Sequence, residues 1–462
     1  MTQEILDDLL RRAGTDPAGE QVTIDGRDPV FATPFRMADL GAAVIAASAL
    51  QAARLYERRS GLRQQIHVDT DAAAAAMRSF RYLAEVPPAP PGPAKIASAF
   101  YETRDGRSIF IHRAFPHHLE RELAVLGLAS AADEDEVKRA VARWDAEPLE
   151  AAIMAAGACA AMVRSNEEWA KHAQGRAVAG LPLFTIRKIG ESAPEPAGSG
   201  ERPLGGIRVL DLTRVLAGPT NARTLAEHGA TVLRIVTPVH PDGGPMPRDT
   251  GHGKRSTILD LRTAAGSARL RDLVARADVF SQGFRPGAFA KLGFSPEELA
   301  ELRPGIVSVA ITAFGSEGPW ALNRGFDSVV EAGNGMADEE GKLLGSGPKL
   351  IPASPLDYAS GYLAAFLVQV ALERRAIEGG SYHIDLSLSQ TAHYLKGLSR
   401  VDPGAASHPE NELPDERLAQ LLTERDTPYG RLRYLAPVAQ LSATPGYWAS
   451  PTVPFDHDNA EW

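Results

Sequence analysis

Ile207-Arg208-Val209-Leu210-Asp211-Leu212 follows a Gly-Gly turn and opens the stretch, Gly206 to Gly293, that decides the fold. A loop and an Ala-rich helical pattern come next. Two more short apolar runs, Thr231 to Val236 and Ala277 to Phe280, repeat the first. Short β-branched runs separated by helical patterns and glycine turns are typical of a parallel α/β domain. We therefore predict an α/β fold whose large domain is a Rossmann-like parallel sheet.

Three segments rich in proline, glycine or polar residues divide the chain, at Val86 to Pro93, Glu191 to Pro203 and Asp402 to Arg417. They are typical of linkers and surface loops. Between the first two, alternation around Asp105-Gly106 predicts a β-hairpin, and helical patterns follow at about 117–126 and 133–143. We predict a smaller α+β region at residues 1–200, the large domain at 201–400, and a linker with a C-terminal return segment at 401–462.

A helix-then-strand unit occurs twice in the sequence. Glu373-Arg374-Arg375 matches Glu57-Arg58-Arg59, an offset of 316 residues (373 against 57). The later copy consists of an apolar helical pattern at 356–375 and a strand-like run at 381–388. On this offset Asp357 corresponds to Gly41, with Asp39 two positions away. The N-terminal copy therefore does not present the same carboxylate.

Composition restricts the classes of function. The chain has 462 residues, 44% of them hydrophobic, which suffices for a sizeable core. The net charge of -9 and a pI near 5.8 argue against a nucleic-acid partner. The single cysteine, Cys159, excludes an internal disulfide, and its small-residue surroundings predict a packing role.

The sequence also gives an expectation about location. The N-terminus lacks the basic-then-apolar layout of a signal peptide, and no run approaches the roughly 18 apolar residues of a membrane span. We predict a cytoplasmic protein with no membrane partner.

The turn after the first strand is one candidate ligand edge. Gly218 and Pro219 break the strand, and a helix beginning near Thr220 would offer free N–H groups to an anion or a carbonyl. The turn is not a G-x-G-x-x-G motif, and these residues by themselves favour an ordinary strand-to-helix turn.

Two further candidates are charged. Lys254-Arg255 lies just before an apolar run, and Arg285 and Lys291 follow later, a set that suits phosphate groups or else solvated surface. Asp357 opens the apolar helix of the second repeat. It is either a helix cap or a nucleophilic carboxylate at the edge of a ligand cleft.

Other motifs are absent from the sequence. His117-His118 has no partner at metal-ligand spacing, and no H-E-x-x-H or C-x-x-C element occurs, so we expect no metal. No G-x-S-x-G or phosphate-loop lysine motif occurs either, which argues against the common hydrolases and kinases.

Taken together, ordered blocks of this sequence resemble the family III CoA-transferases, also called the CaiB/BaiF family. The blocks are Val209 to Pro219, Gly253 to Ser256 with Leu259 to Leu261, Ala277 to Val279, Phe284 to Gly287, Leu292-Gly293, Phe314-Gly315 with Gly318-Pro319, Gly325 to Asp327, and Asp357 with Gly361. The resemblance covers residues 202–395 and, in a closing segment, 427–445. Residues 29–180 resemble the small domain that the family places after its catalytic helix, so the order here is rearranged.

The resemblance implies the fold of that family, a homodimer, and coenzyme A or acyl-CoA with a carboxylic acid as substrates, without a metal. It implies that Asp357 attacks the thioester to form a mixed anhydride and then an aspartyl-CoA thioester. The residues implied at the CoA site would line the pantetheine and thioester end (Arg214, Val215, Leu216 and Ala217), meet the phosphates (Lys254, Arg255, Arg285 and Lys291) and flank the adenine (Phe284). Phe326 is also implied at the CoA site.

The family also contains racemases, in which a histidine works with the aspartate. The matching position here is Phe326, which cannot exchange a proton, so the sequence favours a CoA-transferase. Two alternatives stay open: a racemase or lyase on the same fold, and a non-catalytic CoA-binding homologue. The latter is favoured by the rearranged order and by the lack of a convincing glycine-rich flap.

Overall fold

The computed structural model describes residues 1–88, 97–239, 243–406 and 411–462. The predicted linkers at 86–93 and 402–417 therefore lie partly outside the described residues, at 89–93 and 407–410. Residues 191–203 contain no helix or strand.

The helices are α1 Thr2–Ala13, α2 Met37–Ser60, α3 Thr70–Ala76, α4 Pro116–Leu126, α5 Glu134–Val141, α6 Ala146–Ala155, α7 Asn166–Lys171, α8 Ala173–Gly180, α9 Ala217–Glu227, α10 Met246–Asp249, α11 Ala264–Val274, α12 Pro296–Leu302, α13 Asp327–Gly333, α14 Met336–Leu343, α15 Pro355–Glu378, α16 Leu388–Gly397, α17 Pro403–Ala406 and α18 Asp415–Leu421. The strands are β1 Val22–Asp25, β2 Ile66–Asp69, β3 Ala84–Glu85, β4 Ala99–Glu102, β5 Ser108–Ile111, β6 Ala160–Met162, β7 Phe184–Gly190, β8 Arg208–Leu212, β9 Thr231–Val236, β10 Lys254–Ile258, β11 Val279–Gln282, β12 Val307–Thr312, β13 Ser381–Ser387, β14 Leu422–Thr427, β15 Gly430–Leu435 and β16 Gln440–Leu441.

A seven-stranded sheet forms the centre of the molecule, in the order β10-β9-β8-β11-β12-β13-β7. Its first six strands are parallel, and β7 pairs antiparallel with β13 at the edge. Numbered from β8, the parallel strands follow the 3-2-1-4-5-6 order of a Rossmann fold. The predicted α/β class with a Rossmann-like parallel sheet is confirmed.

Helices cover both faces of this sheet. On one face α9 and α15 pack against each other over inward residues such as Val209, Val279 and Val309. On the other face Leu210, Leu233 and Phe280 belong to a separate core with residues of α11 and α12. Strands buried on both faces read as continuous apolar runs, which explains the pattern seen in the sequence.

A smaller α+β unit has its own sheet and core. Strands β4, β5 and β6 form a three-stranded antiparallel sheet, on which α4, α5 and α6 pack around Ile109, Leu123 and Leu149. The predicted hairpin at Asp105-Gly106 and the two helices after it are confirmed. A capping box, in which Asp133 and Glu136 bind each other's backbone N–H, begins α5.

The division of the chain at residues 200 and 400 stays a prediction. Strands from the two sides of each position pair in the same sheet. Strand β7 comes before residue 200 but belongs to the central sheet. The C-terminal strands β15 and β16 pair with β3 and β2 from the N-terminal region. A return of the chain after residue 421 thus joins its two ends in common sheets.

The two repeat copies lie side by side. Helices α2 and α15 each have 24 residues and pack against each other. Gln369 Nε2 donates to Ser48 Oγ at 2.9 Å, and Arg58 pairs with Glu373 at 2.9 Å. Asp39 of the first copy is fully buried and accepts a hydrogen bond from Thr2 at 2.6 Å.

Helix α2 also corrects one expectation from the sequence. Among the described residues, α2 is a helix whose length and composition would allow it to cross a membrane. Of its most apolar 18-residue window, 94% is buried inside the protein. Its partner in this position is α15, as expected for a core helix.

Candidate functional site

A cavity of about 320 Å³ opens where the strand order of the central sheet reverses, between β8 and β11. The carboxyl ends of β8, β11 and β12 meet there, and the loops that follow them form one wall. In doubly wound sheets this crevice is where ligands bind. The cavity is lined by Phe115, His117, His118, Arg121, Arg214, Val215, Ala217, Gly218, Gly283, Phe284, Arg285, Pro286, Ala288, Ile311, Thr312, Ala313, Ala321, Asn323, Arg324, Gly325, Phe326, Asp357 and Leu388.

Asp357 reaches this cavity from the first turn of α15. Ser354 holds the N-cap position and makes no side-chain capping bond. The carboxylate of Asp327 caps the helix instead, because its Oδ2 accepts the N–H groups of Leu356 at 2.8 Å and of Asp357 at 2.9 Å. The side chain of Asp357 is thus released from the capping role that the sequence left open.

Buried acids surround the start of α15. Burial raises the pKa of Asp357 well above the usual aspartate range, and the negative charge of Asp327 raises it further. Glu331 hydrogen-bonds Asp327, and burial followed by the charge of Asp327 raises the pKa of Glu331. Glu331 Oε2 also accepts the N–H of Ile351 at 2.9 Å. Burial also raises the pKa of Asp327, whereas the hydrogen bonds from Glu331 and from two backbone N–H groups lower it. We therefore infer that Glu331 holds the proton that the two carboxyl groups share.

The structure brings together seven of the eleven site residues named from the sequence. They are Arg214, Val215, Ala217, Phe284, Arg285, Phe326 and Asp357. They come from four separate loops or helices. The topology of the sheet therefore brings them to one cavity.

The turn after β8 differs from its expected form. Helix α9 begins at Ala217, so Gly218 and Pro219 lie inside its first turn and not before it. A Cβ on Gly218 would lie 2.2 Å from Thr213 Cβ, which explains the glycine. Val215 has φ of 68°, a left-handed conformation that is strained for a β-branched residue. This strained residue lines the cavity.

Lys254, which was predicted to meet a phosphate, does not line the cavity. Its side chain is fully buried, with Nζ 2.7 Å from Asp211 Oδ2 and 2.8 Å from the carbonyl oxygen of Pro219. Burial lowers the pKa of Lys254 to about 8, and the charge of Asp211 opposes that change. The ammonium group therefore neutralises a buried carboxylate under α9.

Three other residues named from the sequence also lie away from the cavity lining. Arg255 donates to the carbonyl oxygen of Glu461 at 2.9 Å and lies 3.6 Å from Asp458, so the C-terminal segment holds it. Leu216 is only 2% exposed and belongs to the core. Lys291 is exposed in a short turn, outside the lining.

The sequence missed the wall that the smaller α+β unit supplies. Phe115, His117, His118 and Arg121 come from the start of α4, more than 200 residues before Asp357. Only the His117-His118 pair at a helix start was visible in the sequence. No spacing rule links it to the large domain.

Aromatic stacking holds this wall against Phe326. The rings of His112 and Phe326 stack at 4.0 Å, and Phe115 lies 5.6 Å from the same ring. Burial and then the neighbouring His117 lower the pKa of His118 to about 3, so its ring is neutral. The wall next to Phe326 is therefore aromatic and carries no histidine charge from His118.

Within the described part of the chain no group of three histidine, cysteine or acidic side chains could hold a metal ion. Burial raises the pKa of Cys159 to about 12, so its sulfur stays a thiol.

Comparison with known proteins identifies relatives of this chain. The model of CoA-transferase family III matches it over residues 18–195 and again over 204–421. An acetyl-coenzyme A transferase, nodX, of Hypoxylon pulicicidum is 30% identical over 318 residues, 64% of this chain and 53% of that protein. A succinate–glutarate CoA-transferase of Agrobacterium fabrum is 34% identical over 204 residues, 40% of this chain and 51% of that protein.

A solved structure is also similar to part of this chain. A CaiB/BaiF family protein from Brucella suis is 30% identical and covers 43% of this chain and 58% of its own, with a TM-score of 0.38. The chain spans about half the length of the curated relatives it matches.

Proposed function

Because the chain belongs to the family III CoA-transferases, we propose that it passes CoA between carboxylic acids, with Asp357 as the covalent nucleophile. Its relatives include enzymes named for CoA transfer to succinate or glutarate, to malate and to oxalate. One observation carries the proposal for this chain. Asp357 lines the cavity at the sheet's switch point together with Arg214, Phe284 and Arg285, and its carboxylate has no capping role there.

The proposed reaction begins when a carboxylate oxygen of Asp357 attacks the thioester carbonyl carbon. The carbon–sulfur bond breaks, CoA thiolate leaves, and a mixed anhydride forms. The thiolate then attacks the aspartyl carbonyl, which gives an aspartyl-CoA thioester and releases the donor acid. The acceptor acid repeats these two steps in reverse, so Asp357 is regenerated without a net change in protons.

The buried position of Asp357 sets a requirement on this chemistry. The nucleophile must be ionised, yet burial and Asp327 favour its neutral form. The developing oxyanions also need hydrogen-bond donors. Since a carboxylate is a weak nucleophile, binding energy from the remote part of CoA must position the thioester.

The CoA site that we propose retains the residues of the cavity. Arg214, Val215 and Ala217 would line the pantetheine and thioester end, and Phe284 would flank the adenine. Arg285 would meet the phosphates, with Lys291 outside the cavity as a further cation. Lys254 and Arg255 are left out, because both side chains are bound to other parts of the protein.

Exchange of CoA between an acyl-CoA and a free acid tests the proposal. We expect Asp357→Ala to abolish exchange, and CoA binding measured by calorimetry to stay within about threefold, because most of the CoA surface lies away from this side chain. Mass spectrometry of the wild-type protein should find the acyl or CoA adduct on Asp357. A variant with normal turnover would refute the assignment. CoA binding without exchange across a broad panel of acids would favour a non-catalytic homologue.

A racemase or lyase on the same fold is the second candidate. The observation in its favour is that His117 and His118 line the same cavity as Asp357, although position 326 is phenylalanine. The low pKa of His118 makes it a weak base, which argues against proton abstraction by that ring. Incorporation of solvent deuterium at C2 of an acyl-CoA, without exchange of CoA, would select this candidate. The homodimer and the cytoplasmic location stay predictions from the sequence.

A further inference from the structure

A second cavity, of about 230 Å³, lies on the face of the central sheet that α9 and α15 do not cover. Ser308 on β12 and His383 on β13 are directly opposite each other there, because the two parallel strands pair in this register. Their neighbours along the strands, such as Val307 and Ile384, belong to the core beneath α15. Successive side chains of a strand point to opposite faces, so Ser308 and His383 point away from that core and line the second cavity.

A serine, a histidine and an aspartate form a row in this cavity. Ser308 Oγ lies 2.7 Å from Nδ1 of His383, and Asp385 Oδ2 lies 3.1 Å from Nε2 of the same ring. The carboxylate beside Nε2 favours the tautomer that has its proton on that nitrogen. Nδ1 then has a free lone pair, to which the hydroxyl group of Ser308 donates. A hydroxyl group, an imidazole base and a carboxylate that orients the base are the parts of an activated serine nucleophile.

This serine–histidine–aspartate row runs from the interior to the surface. Ser308 is 2% exposed, whereas the side chain of His383 is 9% exposed and that of Asp385 is 47% exposed. The hydroxyl group is therefore shielded from bulk water, and the carboxylate at the other end of the row is in contact with it. A histidine that is largely withdrawn from water and hydrogen-bonded to a serine can take the serine proton during a reaction.

A donor for a developing oxyanion lies on the neighbouring strand. Phe280 of β11 is directly opposite Ser308, and Gln282 lies two positions further along the same face. Diagonal neighbours on one face of a sheet are about 7–8 Å apart, which a long side chain can span. The N–H of Phe284 donates to Gln282 Oε1 at 2.7 Å and so orients the amide. Within the described residues the Nε2 of Gln282 binds no acceptor, so it can donate to an oxyanion.

The rest of the second cavity is apolar and small. Phe280, Phe289, Phe294 and Leu299 line it, and the rings of Phe280 and Phe289 pack edge to face at 5.4 Å. Cavities for drug-sized ligands have volumes of about 300–1,000 Å³. The second cavity therefore suits a small molecule with an apolar group and does not hold the whole of CoA.

The row is separate from the site of the proposed CoA transfer. Asp357 lines the first cavity, and Ser308 and His383 line the second. The two cavities are neighbours, since three residues line both of them, namely Pro286, Ala288 and Thr312. Ser308 is 75 residues from His383 in the sequence and lies on a strand, so no motif of short spacing reveals the row.

We propose that Ser308, His383 and Asp385 form a second active site, which hydrolyses small carboxylic esters that carry apolar groups. Ser308 Oγ attacks the ester carbonyl carbon while its proton passes to Nδ1 of His383. The carbon–oxygen bond to the alcohol breaks, and the alcohol leaves with that proton. Water then attacks the acyl-serine and gives a proton to His383. The acid leaves as Ser308 Oγ takes this proton back, so one ester and one water give one alcohol and one acid.

Two measurements test this site. One is hydrolysis of p-nitrophenyl acetate, followed by the release of p-nitrophenol. The other is labelling by diisopropyl fluorophosphate, in which an activated serine oxygen bonds to phosphorus and fluoride leaves. All proteins carry Asp357→Asn, so that attack by this carboxylate does not contribute. Ser308→Ala and His383→Gln are the test variants, and Ser346→Ala, at an exposed position after α14, is the matched control.

We expect the parent and the control to hydrolyse the ester and to carry the phosphoryl label on the peptide that contains Ser308, as found by mass spectrometry. Either test variant should lose about 100- to 10,000-fold of the hydrolysis rate, the usual contribution of a general base. A folded parent that is not labelled at Ser308 would overturn the inference. Hydrolysis that is unchanged in Ser308→Ala would overturn it too. Thermal unfolding shows that each protein is folded, and labelling of the parent does not depend on the stability of the variants.

The outcome is independent of the proposed CoA transfer. Hydrolysis and labelling are measured without CoA and in proteins that lack the carboxylate of Asp357. Failure of the ester test therefore leaves the transferase proposal standing, and failure of CoA exchange leaves the serine site standing.

Discussion

Replacing Asp327 separates its two effects on the start of α15. Its carboxylate accepts two backbone N–H groups, from Leu356 and Asp357, and its negative charge raises the pKa of Asp357. Asp327→Ala removes the acceptor and the charge. Asp327→Asn keeps an acceptor oxygen for the two N–H groups and removes the charge, and it replaces the other carboxylate oxygen with an amide donor.

The size of the stability effect follows from the two hydrogen bonds. Loss of a helix cap costs about 0.5–2 kcal/mol, and a hydrogen bond to a charged group contributes about 1.5–3 kcal/mol. Asp327→Ala also removes the carboxylate to which the Glu331 side chain is hydrogen-bonded. We expect Asp327→Ala to lower the free energy of unfolding by about 2–3 kcal/mol. We expect Asp327→Asn to change it by less than about 1 kcal/mol, since the cap remains.

The effect on catalysis concerns pH. A raised pKa means that Asp357 is protonated, and inactive as a nucleophile, up to a higher pH than an ordinary aspartate. The rate of CoA exchange should therefore decrease on the acidic side of its pH profile, at a pH above the usual pKa range of aspartate. Without the charge of Asp327, the pKa of Asp357 should fall, so Asp327→Asn should move this acid limb to lower pH.

Chemical denaturation gives the stability, and the pH dependence of kcat/KM for exchange gives the acid limb. Asp338→Asn is the control, because Asp338 makes an i,i+4 pair with Lys342 near the surface, where such pairs contribute less than about 1 kcal/mol. An acid limb that does not move in Asp327→Asn would show that its charge does not act on Asp357. An alanine variant as stable as the asparagine variant would refute the capping role.

Two further predictions concern buried charges. Lys254→Met should lower the free energy of unfolding by about 3–5 kcal/mol, because it leaves Asp211 buried without a counter-charge, and Lys254→Met with Asp211→Leu should recover most of that loss. Calorimetry should find CoA affinity unchanged in the double variant, and a large fall would return Lys254 to the phosphate site. Burial raises the pKa of Glu340 to about 8, so the folded protein retains a proton that the unfolded chain releases near pH 4.5. Stability should therefore decrease as pH rises from about 4.5 to about 8, by up to about 1.4 kcal/mol per pH unit for this group. Denaturation of Glu340→Gln should give a shallower slope, and an identical slope would contradict this reasoning.

The parallel sheet could be read from the chain because its strands are buried on both faces. Val209, Val279 and Val309 point to one face, and Leu210 and Phe280 to the other, so each strand is a short continuous apolar run. Helix α15 was equally clear, since an apolar helical pattern at about 356–375 comes directly after Pro355. Asp357 stood out as an acid at the start of that helix.

The side chains of the basic residues in β10 were harder to predict from the sequence. Lys254 and Arg255 are adjacent, and consecutive residues of a strand point to opposite faces. Lys254 points under α9, where Asp211 holds it, and Arg255 points toward the C-terminal segment. Sequence alone gives neither face, because the assignment depends on where α9 and residues 455–461 pack.

By itself, then, the sequence determined the α/β class, the strands β8, β9, β11 and β13, the apolar helix α15 and the carboxylate at the start of that helix. These depend on local patterns of apolar residues and turns. The tertiary structure alone decided that Asp327 caps that helix, that Lys254 is internal, and that Arg121 meets Arg324 over Gly157. These contacts join residues that are tens to hundreds of positions apart, and only the packing of separate helices, strands and loops brings them within hydrogen-bond distance.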